Sequence, residues 1–258
     1  YTNGTNSVAV GYQALVLNTT GIRNVAVGAS ALSSNISSAE LTAIGYEALK
    51  SNTGASNTAV GYQALRNGTT GTLNTAIGDQ AGLSNTASGL TAVGYQSAQL
   101  CQADYTTAVG TAALQFNTTG TGNTAVGFAA LNANSVGIRN VAVGCQALNQ
   151  NLSENNVAIG YQPLYTNTNG TDNVAIGTQT LFSNTSGFQN IAIGNSSLHS
   201  MLTANNNTVV GYYAGYFMTG NQNTLLGALT GAGITTATRN VILGYYSGSE
   251  LTTGSNNI

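Results

Sequence analysis

The chain has 258 residues, and only 5% of them are charged, where an ordinary soluble domain has about 25%. A net charge of −2 excludes the basic surface that nucleic acid or anionic lipid requires, and it leaves few acids and bases for catalysis. No apolar run approaches the roughly 18 to 20 residues that cross a bilayer. We therefore expect neither a nucleic-acid partner nor membrane insertion.

A short repeat runs through the whole chain. The sequence Asn-Thr-Ala-Val-Gly at 57–61 recurs at 123–127, and Asn-Val-Ala-Ile-Gly follows at 156–160. The last residue of this motif, here named the central glycine, occurs fifteen times at intervals of 16 or 17 residues: Gly11, Gly28, Gly45, Gly61, Gly78, Gly94, Gly110, Gly127, Gly144, Gly160, Gly177, Gly194, Gly211, Gly227 and Gly244. We predict a single repeat array over 1–258 that is open at both ends, with each end cut in mid-repeat.

A period of 16 or 17 residues predicts one coil of a β-solenoid, because it is too short for a helix pair or a propeller blade. The fold class is therefore all-β, a parallel β-solenoid (β-roll) of about fifteen coils. We expect two or three short strands in each coil, joined by turns.

The predicted strand precedes the central glycine. Val, Ile or Leu comes directly before the glycine and Val, Thr or Ile two residues earlier, so these two positions share one face of the strand. We expect that face to fill the interior of the coil, together with the Leu that follows the glycine by four residues, as Leu15, Leu65 and Leu114 do. The Ala between them, from Ala9 to Ala192, is expected to face outward toward a neighbour such as another chain.

Glycine and asparagine mark the turns. The central glycine is expected to have a positive φ or a close backbone approach, and a second glycine seven residues earlier, such as Gly21 or Gly120, closes an Asn-Thr-Thr-Gly turn. Asn stands four residues before the central glycine in eleven of the fifteen copies. Stacked amides at one solenoid position can hydrogen-bond along the column, which predicts an inside corner.

The repeat changes in two regions. Leu41, Leu90 and Thr106 replace the Asn, which predicts a weaker column there. In the last three copies the strand Ala becomes Val209, Leu225 and Ile242 while the Leu becomes Gly215, Gly231 and Gly248. This pattern predicts that volume moves between neighbouring core positions, and we expect the coil's cross-section to change with it.

The repeated Asn-Thr-Ala-Val/Ile-Gly followed by Asn-Thr-Thr-Gly resembles the glycoprotein repeat of large algal viruses and similar repeats of phage tail fibres. Residues 6–11, Asn-Ser-Val-Ala-Val-Gly, also resemble the head repeat of trimeric autotransporter adhesins. The resemblance covers the whole chain. It implies a parallel β-roll that associates as a homotrimer and serves as an adhesive or attachment fibre.

No catalytic, cofactor or metal site is predicted. His199 is the only histidine, and no acid recurs at a matching position, so we interpret it as a turn residue. Glu40 and Glu47 lie within one coil, but no third polar group supports a glycosidase pair. Cys101 and Cys145 stand about 2.5 coils apart, too far for an intrachain disulfide.

Two sets of residues are candidates for carbohydrate. Tyrosines that follow the central glycine could stack on sugar faces if they point outward, although we favour packing, within the chain or between chains; they include Tyr12, Tyr46, Tyr62 and Tyr95. Ten Asn-x-Ser/Thr sequons occur, against roughly seven by chance, and most are expected in an outer turn that could carry a glycan. They are Asn3, Asn18, Asn35, Asn67, Asn117, Asn151, Asn169, Asn184, Asn195 and Asn206.

These observations predict a non-enzymatic structural shaft for surface attachment or adhesion, located outside the cell or on a virion. Its expected partners are copies of itself, as a homotrimer or filament, and cell-surface glycans. The alternatives are an extracellular filament subunit and a solenoid module that binds carbohydrate or ice through a flat face. A carbohydrate-binding or ice-binding module needs an exposed, regular Thr or Tyr array, whereas the Thr positions are interrupted by Val and Ile and are expected on the inward face.

Overall fold

A computed structural model of the chain describes residues 6–68 and 70–258. The chain divides into two compact units, Tyr1–Ala129 and Ala130–Ile258. Each unit is an all-β parallel β-solenoid, and the described residues contain no helix. The fold class predicted from the repeat is thus confirmed at this level.

Every coil contributes one strand of three residues. The strands of the first unit are β1 (Val8–Val10), β2 (Val25–Val27), β3 (Thr42–Ile44), β4 (Thr58–Val60), β5 (Thr75–Ile77), β6 (Thr91–Val93), β7 (Thr107–Val109) and β8 (Thr124–Val126). Those of the second unit are β9 (Val141–Val143), β10 (Val157–Ile159), β11 (Val174–Ile176), β12 (Ile191–Ile193), β13 (Thr208–Val210), β14 (Thr224–Leu226) and β15 (Val241–Leu243). Within each unit successive strands pair in parallel with equivalent residues opposite, as Ala26 is to Ala43 and Ala158 to Ala175.

The prediction of two or three strands per coil is wrong, because left-handed residues break the rest of the coil into turns. Among residues 6–68 and 70–258, forty residues other than glycine have φ between 48° and 62°. They recur at three positions of the coil: two and four residues after a central glycine, and five residues before the next one. Gln63, Leu65 and Leu73 are the examples between Gly61 and Gly78. Backbone hydrogen bonds still join equivalent turn positions of neighbouring coils, such as Leu65 N–H to the Ala81 carbonyl at 3.0 Å.

The predicted facing of the strand is also wrong: Ala points inward and the Val, Ile and Thr beside it point outward. The strand alanines from Ala26 to Ala192 are completely buried, whereas the flanking residues are half-buried or exposed. The Leu column is buried as expected, with Leu32 and Leu131 fully enclosed. A coil of 16 or 17 residues with tight corners has room for one Leu in each turn, so the strand position that faces it must be small.

Volume is exchanged between core positions, as predicted for the last coils. A Cβ at Gly215 would lie 3.6 Å from Val209, one at Gly231 would lie 2.5 Å from Leu225, and one at Gly248 would lie 2.8 Å from Ile242. The larger strand residues therefore fill the space that the missing leucines leave. Pairing continues in register from β12 through β15, so the strand column is maintained where the core residues change.

The same exchange occurs once in the first unit. Gly82 replaces the column Leu, and Leu90 stands at an Asn position in the neighbouring coil. A Cβ at Gly82 would lie 3.0 Å from Leu90 and 2.9 Å from Leu65. Leu90 therefore supplies the apolar volume that Gly82 lacks.

The asparagine column, formed by the Asn four residues before each central glycine, lies inside the coil and hydrogen-bonds along the stack as predicted. In the first unit Asn57 Oδ1 accepts from the Asn74 N–H at 2.9 Å, and Asn57 Nδ2 donates to the Gly71 carbonyl at 2.8 Å. Leu41 and Leu90 still donate their N–H groups to the preceding Asn, but they have no side-chain amide to offer the following coil. The column is interrupted there for that reason.

Candidate interaction surfaces

The outward side chains of the strands form an uncharged surface, here named the strand face. It consists of the first and third residues of each strand, and these are Val, Ile, Leu or Thr in all fifteen strands. Ile44, Ile77 and Ile159 are about 40% exposed, although most apolar residues of this size are buried in soluble proteins. In the first unit the strands β3 to β8 all begin with Thr, which produces a continuous outward column of hydroxyl and methyl groups.

Charged residues lie beside the strand face at the position five residues before the central glycine. Arg23 pairs with Glu40 at 2.6 Å in the first unit, and in the second unit Arg139 pairs at 2.8 Å with Glu154, which is six residues before its central glycine. The Arg23 guanidinium and the Ser56 hydroxyl hold the pKa of Glu40 below its ordinary value. Each unit therefore has an apolar strip with polar and charged residues along it.

The tyrosine column, formed by the residues that directly follow each central glycine, points outward. Tyr12, Tyr46, Tyr62 and Tyr95 are all exposed, so none of them packs in the core of its own coil. Tyr46 and Tyr62 stack on one another with ring centroids 5.4 Å apart and planes at 12°. This geometry covers one face of each of these two rings. Packing between chains and contact with sugars both stay predictions.

An aromatic column, Tyr165, Phe182, His199 and Tyr216, occupies the position five residues after the central glycine in the second unit. Its successive centroids are 5.3, 5.2 and 4.7 Å apart, and the planes differ by at most 9°. Burial lowers the pKa of His199, which favours the neutral imidazole between the rings of Phe182 and Tyr216. The sequence interpretation of a solvated turn histidine missed this stack, although the shared position in four successive repeats was the available signal.

The corresponding side of the first unit is polar and surrounds Glu47. This carboxylate is buried, and it accepts from Lys50 at 2.6 Å, from Gln63 at 2.9 Å and from Arg66 at 2.5 Å. The hydrogen bond from Lys50 is the largest influence, and the pKa of Glu47 falls to about 2. Both Glu40 and Glu47 are therefore ionised and paired near neutral pH, which does not suit a general acid.

Five of the ten sequons do not lie where the sequence interpretation expected. Those at Asn18, Asn35, Asn117, Asn151 and Asn184 are buried, because they stand seven residues after a central glycine and form a second column of asparagines inside the coil. Asn184 Nδ2, for instance, donates to Asn167 Oδ1 at 2.7 Å. The outer-turn placement is wrong for these five, and the folded coil leaves no room for a glycan on them.

Four sequon asparagines are exposed, and one lies outside the described residues. Asn67, Asn169, Asn195 and Asn206 point to solvent. Asn3 falls among residues that the structure does not describe. Glycosylation at the exposed positions stays a prediction.

The two cysteines are free. Cys101 is buried seven residues after a central glycine, in the second column of asparagines described above. There Asn117 Nδ2 donates to its Sγ at 3.4 Å, and burial raises the pKa of the thiol. Cys145 is half-buried in the tyrosine column. Within residues 6–68 and 70–258, no group of three or more His, Cys, Asp or Glu side chains could hold a metal ion.

Comparisons with family models, with curated proteins and with solved structures find no match to this chain. In the part of the chain that the structure describes, no helix has the length and apolar character of a membrane span.

Proposed function

We propose that this chain is a non-enzymatic structural shaft for surface attachment or adhesion, displayed outside a cell or on a virion or phage tail. The observation that carries the proposal is the repetition of the same columns from coil to coil, inside and outside. Each coil contacts its neighbours through stacked Ala, Leu and Asn side chains, so a segment of any length can be built from one unit. The adhesin and tail-fibre resemblance of the repeat supports the same function.

Self-association follows from the strand face. A strip of Val, Ile and Thr bordered by charged residues has the anatomy of a protein interface, an apolar centre with a polar rim. Because the strip has no charge, a second copy can pack against it without burying an unpaired ion. We propose that copies of this chain associate through their strand faces as a homotrimer. The Ala column cannot serve this purpose, since it is buried in the coil.

The oligomeric state tests this proposal directly. Sedimentation equilibrium of the whole chain should give a trimer, and Ile159→Lys should give a monomer because it places a charge in the strand face. Gln150→Lys adds the same charge at an exposed turn position and should leave the trimer intact. A wild-type chain that stays monomeric at high micromolar concentration overturns the homotrimer, and unlimited growth with concentration favours a filament.

A second candidate function is favoured by one observation, the outward Thr column of the first unit. Strands β3 to β8 present Thr and then Val or Ile at two outward positions, repeated about every 4.8 Å. This is a regular, outward-facing array of half-buried Thr side chains, of the kind that a flat ice-binding or carbohydrate-binding module requires. Ice recrystallisation inhibition by a monomeric wild type, lost in Thr75→Lys and retained in Gln150→Lys, would favour this function over the shaft.

A further inference from the structure

The tyrosine column of the first unit contains a slot between two aromatic rings. From the third coil onward it reads Tyr46, Tyr62, Asp79, Tyr95, Thr111 and Phe128. Asp79 is thus one coil away from a tyrosine on each side. These six residues are exposed, so the slot opens to solvent.

Tyr46 and Tyr62 turn their ring faces along the column. Tyr46 and Tyr62 stack with planes at 12°, so the uncovered face of Tyr62 is turned toward the coil of Asp79. Tyr95 borders the other side of that coil and is 49% exposed, close to the 47% of Tyr62. Two coils separate the tyrosines, which places their rings about 9.6 Å apart, twice the strand spacing of about 4.8 Å.

Asp79 is a carboxylate without a partner in this slot. Its side chain is exposed and makes no hydrogen bond or ion pair with any residue that the structure describes. Its backbone carbonyl accepts from the Gln96 N–H at 2.9 Å, which fixes the main chain at the floor of the slot. In contrast, Glu40, Glu47 and Glu154 are all paired with Arg or Lys.

We propose that Tyr62, Asp79 and Tyr95 form a binding site for an organic cation, a quaternary or methylated ammonium group. A cation midway between the rings lies about 4.8 Å from each, inside the range of about 6 Å over which ring faces attract cations. The carboxylate at the floor supplies the opposite charge. A flat aromatic ring stacks at about 3.5 Å from each neighbouring face, so it fits a gap of about 7 Å between ring planes and would be loose in one of about 9.6 Å.

The orientation of the rings disfavours a polysaccharide laid along the coils. Such a chain would present the edges of its sugars to ring faces that are turned along the column. The slot instead admits a single compact group from the side. This site goes beyond the proposed shaft function and does not depend on it.

Titration of the whole chain with tetramethylammonium chloride, followed by the NMR resonances of ring-labelled tyrosine at low ionic strength, tests the site. We expect a dissociation constant of about 1–10 mM, typical of a small exposed site. Choline should bind similarly, whereas the neutral isostere 3,3-dimethylbutan-1-ol should bind at least about five-fold more weakly. Equal binding of the isostere, tighter binding of glucose, or no shift with any compound overturns the proposal.

Variants locate the site. Asp79→Asn should weaken tetramethylammonium binding about five-fold and Tyr62→Leu about ten-fold, while Tyr161→Leu, in the tyrosine column of the second unit, should change nothing. Unchanged affinity in Asp79→Asn overturns the proposal. All three positions are exposed, and circular dichroism checks that each variant is folded.

A relocated site provides the sharpest control. Thr111 occupies the next slot of the column, between Tyr95 and Phe128. The double variant Asp79→Asn/Thr111→Asp should regain the affinity of the wild type. Its binding should then depend on Phe128 and no longer on Tyr62. Failure of the double variant to bind while its fold is retained contradicts the role assigned to the carboxylate.

Discussion

At the scale of the residue, the coil depends on backbone conformations that few side chains tolerate. The central glycines have φ between 111° and 150°, a region that L-residues rarely adopt, and those from Gly11 to Gly110 and from Gly144 to Gly227 each lie against the glycine of the following coil. Leucines and glutamines at the corners adopt left-handed φ values near 50°, at a cost of about 1 kcal/mol each. Their burial and their hydrogen bonds between coils must offset that cost.

Gly177→Ala is expected to destabilise the second unit by about 3 kcal/mol or more. Gly177 has φ of 134°, and a Cβ there would lie 2.7 Å from the carbonyl oxygen of Gly194. The added methyl group therefore combines backbone strain with a collision that only movement of the next coil relieves. Urea unfolding measures the loss, with the exposed neighbour Thr178→Ala as the control. A loss below about 1 kcal/mol would contradict the close approach.

Glu47 should make stability depend on pH at the acidic end. Its pKa is about 2 in the folded chain against 4.5 for the free side chain, so its stabilising contribution is complete above about pH 5 and is lost as pH falls from 4.5 toward 2. Between pH 5.5 and pH 2 the wild type should lose about 2 kcal/mol more than Glu47→Gln. Asp79→Asn, which removes an exposed carboxylate, should retain the wild-type slope. A parallel decline in wild type and Glu47→Gln would show that this carboxylate contributes nothing.

At the scale of the element, the columns of identical side chains stabilise the stack. Asn190 illustrates this in the second unit: its Oδ1 accepts from the N–H and the Nδ2 of Asn207, each at 3.1 Å, and its Nδ2 donates to the Ala204 carbonyl at 2.8 Å and to Asn173 Oδ1 at 3.0 Å. The aromatic column adds a second stack on the outside of the same unit.

Replacing one member of the asparagine column should be costly although the position tolerates Leu elsewhere. Asn190→Leu leaves the Asn207 N–H and the Ala204 carbonyl without their partners in a buried site, and we expect a loss of about 3 kcal/mol in the free energy of unfolding. Asn195→Leu changes an exposed Asn in the same coil and should cost less than about 0.5 kcal/mol. Similar losses in the two variants would mean that burial of Leu compensates the broken bonds.

The repeat predicted the fold class, the glycine conformation, the asparagine column and the volume exchange, because each depends on sequence spacing alone. Alternation along the strand showed that Val25 and Val27 share a face but could not show which face is inside. Size decided it: the narrow coil accepts Ala26 and excludes the valines. The sequence analysis expected Asn151 in an outer turn because it begins a sequon, but its position in the coil is part of the core. The slot around Asp79 also escaped prediction, since it depends on ring orientation.

At the scale of the whole molecule, stability within each unit is a sum over neighbouring coils. Strand contacts join each coil only to the coils before and after it, and the volume exchanges at Gly82 and Gly215 are completed within adjacent coils. A solenoid of this kind has no contact that depends on distant parts of the sequence. Removal of one whole coil should therefore leave the others intact.

Deletion of residues 178–194 removes one complete coil of the second unit and tests this expectation. It brings Ile176 opposite Val210 and Asn173 opposite Asn207, so the strand, glycine and asparagine columns all stay in register. We expect the remaining coils to fold, with a loss of about 1–3 kcal/mol, in proportion to the 17 residues removed. Deletion of residues 178–185 removes fewer residues but leaves an interval of only nine residues between Gly177 and Gly194, too short for a coil, so the coils on its two sides lose their stacking and should unfold in two separate transitions. Circular dichroism and urea unfolding compare the two. Equal losses in the free energy of unfolding for the two deletions would mean that the unit folds through contacts beyond nearest neighbours. A solenoid held together by neighbouring coils alone must respond differently to a deletion that keeps the columns aligned and to one that does not.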